Sequence, residues 1–146
     1  MKINEFGAVQ AVDVTRLESK YSVGLPKDYF DFLCSMGGGV VERTNNEIFV
    51  KGISNTISID VLFGINTQYK NANIDMWTDK YIGEMPEGVL IIGDTIEHGF
   101  IVLLCAGNEA GIYYWDDTYH FSCSNDANNT YFIADTFTDF INLIGQ

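Results

Sequence analysis

Residues 88–118 read "GVLIIGDTIEHGFIVLLCAGNEAGIYYWDDT", and they constrain the fold more than any other part of the chain. Three runs, "GVLIIG", "FIVLLCA" and "GIYYW", are almost wholly apolar, and only short glycine-bearing segments separate them. Runs of this length and composition read as strands, and connections this short join antiparallel neighbours. The runs do not alternate apolar with polar residues, so the expected meander is covered on both faces.

The cover has to come from helices. One is expected from about Val14 to Tyr21, with Asp13 as its N-cap and Gly24 beyond its end. In "LPKDYFDFLCSMGGG", Pro26 suits the first helical position and Asp28 the first turn, while Tyr29, Phe32, Leu33 and Met36 make a core-facing stripe. Gly37, Gly38 and Gly39 stop that helix. "VVER" and "EIFVKG", on either side of Thr44, Asn45 and Asn46, predict a hairpin, and "ISIDVLFGI" a further strand. Asn66 is the expected cap of a helix carrying Ile74, Trp77 and Tyr81, and "DTFTDFINLI" closes the chain with an amphipathic helix. "SCSNDANN", residues 122–129, reads as a surface loop. The pattern predicts an α+β fold: one domain over residues 1–146, a mostly antiparallel sheet flanked by helices at both chain ends.

The chain has 146 residues, 47% apolar and 14% aromatic, which supplies one core and excludes intrinsic disorder. Its net charge of −12 is unevenly placed. Residues 81–146 hold ten Asp and Glu and no Lys or Arg, the last basic residue being Lys80. Such a surface repels nucleic acid and anionic membranes, because binding to either rests on Lys and Arg. The excess either keeps the protein soluble or faces a basic partner. Cys34, Cys105 and Cys123 are odd in number and lack Cys-x-x-Cys spacing, so free thiols are expected, with Cys34 and Cys105 in buried apolar surroundings. The opening "MKINEFGAVQ" has no apolar run of the kind a secretory leader needs, and the longest apolar run, "FIVLLCA", has seven residues where a bilayer needs roughly 20. A cytoplasmic protein is expected.

Signals for chemistry are weak. The glycines at 37–39 follow a helix instead of preceding one, which excludes a phosphate loop. Asp94, Glu97 and His98 form one titratable cluster, and Asp116, Asp117 and His120 another. Both fall at strand ends and read as solvated turn residues, with no nucleophile elbow or zinc motif beside them. No metal and no organic cofactor is expected. An enzyme built on either cluster needs a converging pocket with perturbed carboxylates. The loop "GDTIEHG" is long for a tight hairpin and is expected to protrude as a charged loop on a rigid sheet.

Three blocks of the sequence resemble the SUKH superfamily, the Smi/Knr-type domains. The first is "LPKDYFDFLCSMGGG". The second runs from Met85-Pro86 through "GVLIIGD", Gly99 with "FIVLLC", and "GIYYWDD"; the third is "IADTFTDFINLI". Two positions depart from the pattern: Met36 stands where a polar residue is common before the glycines, and Phe100 where an Asp often follows Gly99. The resemblance implies an α+β fold without catalytic activity. It implies an immunity protein that binds and neutralises a cognate bacterial toxin domain, such as a nuclease. The alternative it offers is a regulatory interaction module of the Smi/Knr type with a cellular partner. Joined to the charge asymmetry, it makes Asp94, Glu97, Glu109, Asp116 and Asp117 the expected contacts to a toxin with a basic surface, with Tyr113 or Trp115 as aromatic anchors. The Asp94–Glu97 cluster is expected at one end of the meander and the Asp116–Asp117 cluster at the other.

Overall fold

The computed structural model describes all 146 residues. Elements follow one another as β1 (Ile3–Glu5), α1 (Ala11–Tyr21), α2 (Lys27–Met36), β2 (Gly39–Val41), β3 (Glu47–Val50), β4 (Asn55–Leu62), α3 (Ile74–Tyr81), β5 (Val89–Thr95), β6 (Phe100–Leu104), β7 (Gly111–Trp115), β8 (Thr130–Ala134) and α4 (Phe137–Leu143). The fold is α+β. Its eight-stranded sheet is antiparallel at every strand pair and runs β1-β2-β4-β5-β6-β7-β8, with β3 also on β4. No helix is long and apolar enough to cross a membrane.

The expected meander is present as β5–β6–β7, and β8 extends it. One face of it carries Leu90, Ile101, Leu103, Ile112 and Tyr114, each at most 1% exposed. The α4 helix packs against β7 and β8 and meets α2 through Tyr29 and Phe137, whose rings are 4.8 Å apart. Within α2 the stripe is realised by Tyr29 and Leu33, which are fully buried, while Phe32 and Met36 sit at its half-buried edge. Gly37 ends the helix at φ 68°, and a Cβ there would run into the carbonyl of Gly7, so two separate requirements select glycine.

The hairpin expected between "VVER" and "EIFV" does not form. Both strands instead pair end to end along one edge of β4, Val40 opposite Val61 and Ile48 opposite Ile57. The reason lies in Asn46. Its side chain is 4% exposed, its Nδ2 donates to the Ile59 carbonyl at 2.8 Å, and its own carbonyl accepts from Ile59 N–H at 2.9 Å. Asn46 thus supplies the ladder where the chain passes from β2 to β3, and the eight-residue β4 is long enough to hold both short partners.

Two helix starts also differ from expectation. The α1 helix begins at Ala11, so Asp13 lies in its first turn and bonds Arg16 at 3.1 Å instead of capping. Ser22 closes α1 in the left-handed conformation, before Gly24 is reached. Asn66 caps nothing: it sits at φ 52° in a loop, and α3 begins eight residues later, after Asn73. The three cysteines are free, but Cys34 and Cys105 are only half-buried and Cys123 is exposed. Burial still pushes the Cys105 thiol up to about 12.

Candidate partner-binding groove

The second face of the meander is built by the residues that alternate with the buried set: Val102 and Leu104 on β6, and Tyr113 and Trp115 on β7. The α3 helix covers only one end of it. Trp77 and Tyr81 reach Phe100 with ring centroids at 5.2 and 5.5 Å, and Tyr81 stands edge-on to Trp115 at 5.3 Å and 87°. Past Tyr81 the chain turns through Glu84, Met85 and Pro86 into β5, and α3 reaches Trp115 through its last residue, Tyr81. A groove of about 740 Å³ remains there. One wall is Tyr81 to Pro86, the floor is Val102, Leu104, Tyr113 and Trp115, and the far wall is Tyr119, Asp126 and Asn129.

Four carboxylates line this groove, Glu84, Glu109, Asp117 and Asp126, and no Lys, Arg or His does. Burial, then the neighbouring charges of Asp116 and Glu84, push the Asp117 carboxyl up to about 6, against a smaller opposing pull from Lys80. Its Oδ1 is buried with no hydrogen-bond donor. Burial, then the charges of Asp117 and Glu84, raise the Tyr81 hydroxyl above its ordinary value. The nearest cation is Lys80, whose ammonium lies 5.2 Å and 5.4 Å from the ring centroids of Trp77 and Tyr81.

The far wall owes its shape to Asp116. That residue is 0% exposed, so it is not a solvated turn residue. Its carboxylate accepts from the backbone N–H groups of His120 at 2.9 Å and Phe121 at 3.0 Å, and from the Ser124 hydroxyl at 2.5 Å. The Ser124 hydroxyl also pairs with the Tyr131 hydroxyl at 2.8 Å, which fastens the 117–129 segment to β8. At the tip of this segment the Tyr119 hydroxyl bonds the Asp126 carboxylate.

The five expected contact residues therefore have different surroundings. Asp94 is part-buried, accepts from Val61 N–H at 3.0 Å, and is pushed up to about 6 by burial. Glu97 accepts from Ser58 N–H at 2.7 Å. Asp94 sits where the β4–β5 register slips between Ile59 and Leu62 and Glu97 in the turn just beyond, and their carboxylates take up N–H groups of β4. The "GDTIEHG" loop consequently does not protrude: the turn is Ile96–Gly99, closed by His98 N–H to Thr95 at 3.1 Å and folded back onto β4. Gly99 is required there because a Cβ would collide with the Tyr114 ring. Asp116 is internal, and only Asp117 and Glu109 line the groove. The two acidic clusters lie at the same end of the meander, not at opposite ends. Asp94 pairs with Phe100 and Phe100 with Trp115, so an even number of reversals separates the clusters, and Glu109 is the residue at the other end.

Tyr113 and Trp115 both line the groove, as their alternation on one strand allows. Tyr81, Glu84, Tyr119 and Asp126 were not singled out by the sequence as site residues. They come from two segments far apart in the chain, and the only local signal was that the Ile74–Trp77–Tyr81 stripe ends in an aromatic residue three positions before a Glu. No three His, Cys, Asp or Glu side chains converge in a way that could hold a metal ion.

The model of the SMI1 / KNR4 family (SUKH-1) matches residues 8–143. The chain belongs to this family. No curated protein matches it. In this SUKH-1 domain the motif glycines Gly37 and Gly99 serve close backbone and ring approaches. The position where an Asp often follows Gly99 is filled by Phe100, which joins Trp77, Tyr81 and Trp115 in the aromatic wall.

Proposed function

We propose that this SUKH-1 domain is a non-catalytic immunity protein that acts in the cytoplasm, binding a cognate toxin domain with a basic surface and blocking it. The observation that carries the reading is the groove: an open, aromatic-floored surface lined by four carboxylates and no basic side chain, in a chain of net charge −12. Nuclease toxins present Lys and Arg to their own polyanionic substrate, and a carboxylate-lined surface competes for the same groups. Neither His98 nor His120 lines the groove. Family membership supports the reading, since bacterial members of the SUKH superfamily are typically immunity proteins.

The test is co-expression with the toxin domain encoded in the neighbouring reading frame. Restored growth, together with a stable complex on gel filtration, is the expected result. Growth arrest with no complex, from a protein shown to be folded, would overturn the proposal.

A further inference from the structure

We infer that the groove between Tyr81 and Trp115 is the seat for an arginine side chain projecting from the basic surface of the protein partner, with its guanidinium at Asp117. This rests on the reading just given, and it names which part of the surface meets the partner and with what chemistry.

Three features point to a cation, and to arginine in particular. The first is the aromatic wall. Tyr81 and Trp115 meet edge-on, and the Lys80 ammonium already sits within 5.4 Å of the Tyr81 ring centroid, so this cluster holds a cation within the molecule itself. The second is charge. Glu84, Glu109, Asp117 and Asp126 surround the groove with no basic side chain in its lining. Lys80, outside the lining, is the one charge set against Asp117, and a cation in the groove relieves the repulsion that an anionic or neutral occupant would leave. The third is the Asp117 carboxylate, which is half-buried in the groove lining and accepts from no other side chain. A partly desolvated carboxylate gains from a ligand that brings N–H donors to its groove side. Among protein side chains arginine answers all three. Its planar guanidinium stacks on rings, presents five N–H donors in a fixed fork, and is less strongly hydrated than an ammonium. A lysine would meet the charge but not the flat, multi-donor geometry. The groove volume of about 740 Å³ exceeds what one side chain fills, so the arginine arrives on a segment of backbone lying over Tyr113 and Leu104.

The test uses the full-length protein and a defined probe, the capped peptide acetyl-Gly-Gly-Arg-Gly-Gly-amide. Its lysine and citrulline counterparts are the comparisons, followed by NMR through the two tryptophan indole N–H signals. The expected result is a saturable shift of the Trp115 signal with the arginine peptide, a weaker one with lysine and none with citrulline. Asp117→Asn should weaken arginine binding about tenfold, the scale of one lost charge-assisted hydrogen bond. Tyr81→Leu keeps an apolar wall but removes the ring, and should also weaken it; the NMR spectrum of each variant reports whether it remains folded. No shift at Trp115, an equal response to citrulline, or full affinity in both folded variants overturns the inference. Toxin protection separates the two levels. If the wild type protects and both folded variants protect equally, the arginine seat is wrong and the immunity reading stands. If the wild type fails to protect, the immunity reading is wrong whatever the peptide does.

Discussion

Asp28 on α2 and Thr138 on α4 are joined across 110 residues of sequence: Oδ2 of Asp28 accepts from both the backbone N–H and the hydroxyl of Thr138, each at 2.9 Å. The other carboxylate oxygen takes the Tyr29 N–H at 2.8 Å, so one side chain serves the first turns of two helices. Both helices place their buried rings, Tyr29 and Phe137, directly below this contact. Asp28→Ala is expected to destabilise the protein by about 1–2 kcal/mol, the range for a lost N-terminal cap, and Asp28→Asn by less because it keeps an acceptor. Urea denaturation of the three proteins measures it. Equal midpoints would show that the link does not contribute.

Leu33 is 0% exposed in the core beneath the sheet. Leu33→Ala should cost about 2–5 kcal/mol, the transfer term plus the cavity left behind. Against a total stability of about 5–15 kcal/mol, the loss is visible as a lower melting temperature by differential scanning calorimetry. A variant that melts with the parent would place Leu33 outside the core.

Much of this arrangement is legible in the sequence, and what is legible is local. The meander follows from apolar runs and short connections, and the α2 stripe from helical spacing. Tyr113 and Trp115 share a face because alternation along one strand puts them there. Counting reversals would have placed Asp94 and Asp117 at one end of the meander, since two strands lie between them. What the sequence conceals is non-local pairing. Asn46 reads as a turn residue, yet its side chain completes the ladder with Ile59, thirteen positions away. Asp116 and Asp117 read as equivalent solvated charges. A one-residue difference sends the first inward to the backbone of residues 120 and 121 and leaves the second in the groove. The groove itself is an absence of cover, and no periodicity records where a helix fails to lie.

Asp116 offers a sharp case of a buried carboxylate that holds a loop. Asp116→Ala removes the acceptor for two backbone N–H groups and the Ser124 hydroxyl, leaving three part-buried donors without it. We expect a loss of about 2–4 kcal/mol, together with proteolytic cleavage within residues 117–129 that the parent resists. Limited proteolysis with mass spectrometry locates the cut. A variant that resists cleavage there would show that Asp116 does not order the far wall of the groove.

Asp94 gives a pH-dependent prediction of defined sign. Burial raises its folded-state carboxyl to about 6 from an ordinary value of 3.8, so between these values the folded protein binds more protons than the unfolded chain. Its contribution to stability therefore falls as pH rises through this window, and the full penalty is present above pH 6. Asp94→Asn keeps an acceptor for Val61 N–H and removes the charge. It should stabilise the protein at pH 7 by about 1 kcal/mol, after allowance for the hydrated part of the side chain, and the gain should vanish near pH 4. Thermal melts of parent and variant at pH 4, 5, 6 and 7 test it; a gain that grows toward low pH has the wrong sign and would refute the account.

Charge on the groove rim should act on the rate of association before it acts on anything else. Glu84 is exposed on the near wall and Asp31 is exposed on α2, away from the groove lining. Glu84→Lys and Asp31→Lys change the net charge by the same amount, so any difference between them reports position and not total charge. If the groove faces a basic toxin, Glu84→Lys should slow association about tenfold at low ionic strength, and Asp31→Lys much less. The gap between the two should narrow as salt rises, because the screening length falls to about 3 Å at 1 M. Dissociation rates should move little for a rim charge, since affinity rests on the buried aromatic anchors. Stopped-flow association with the neighbouring-frame toxin, at low salt and near 1 M, provides the measurement. If the two variants slow association equally, the acidic half acts through total charge alone, and the groove rim has no special part in steering.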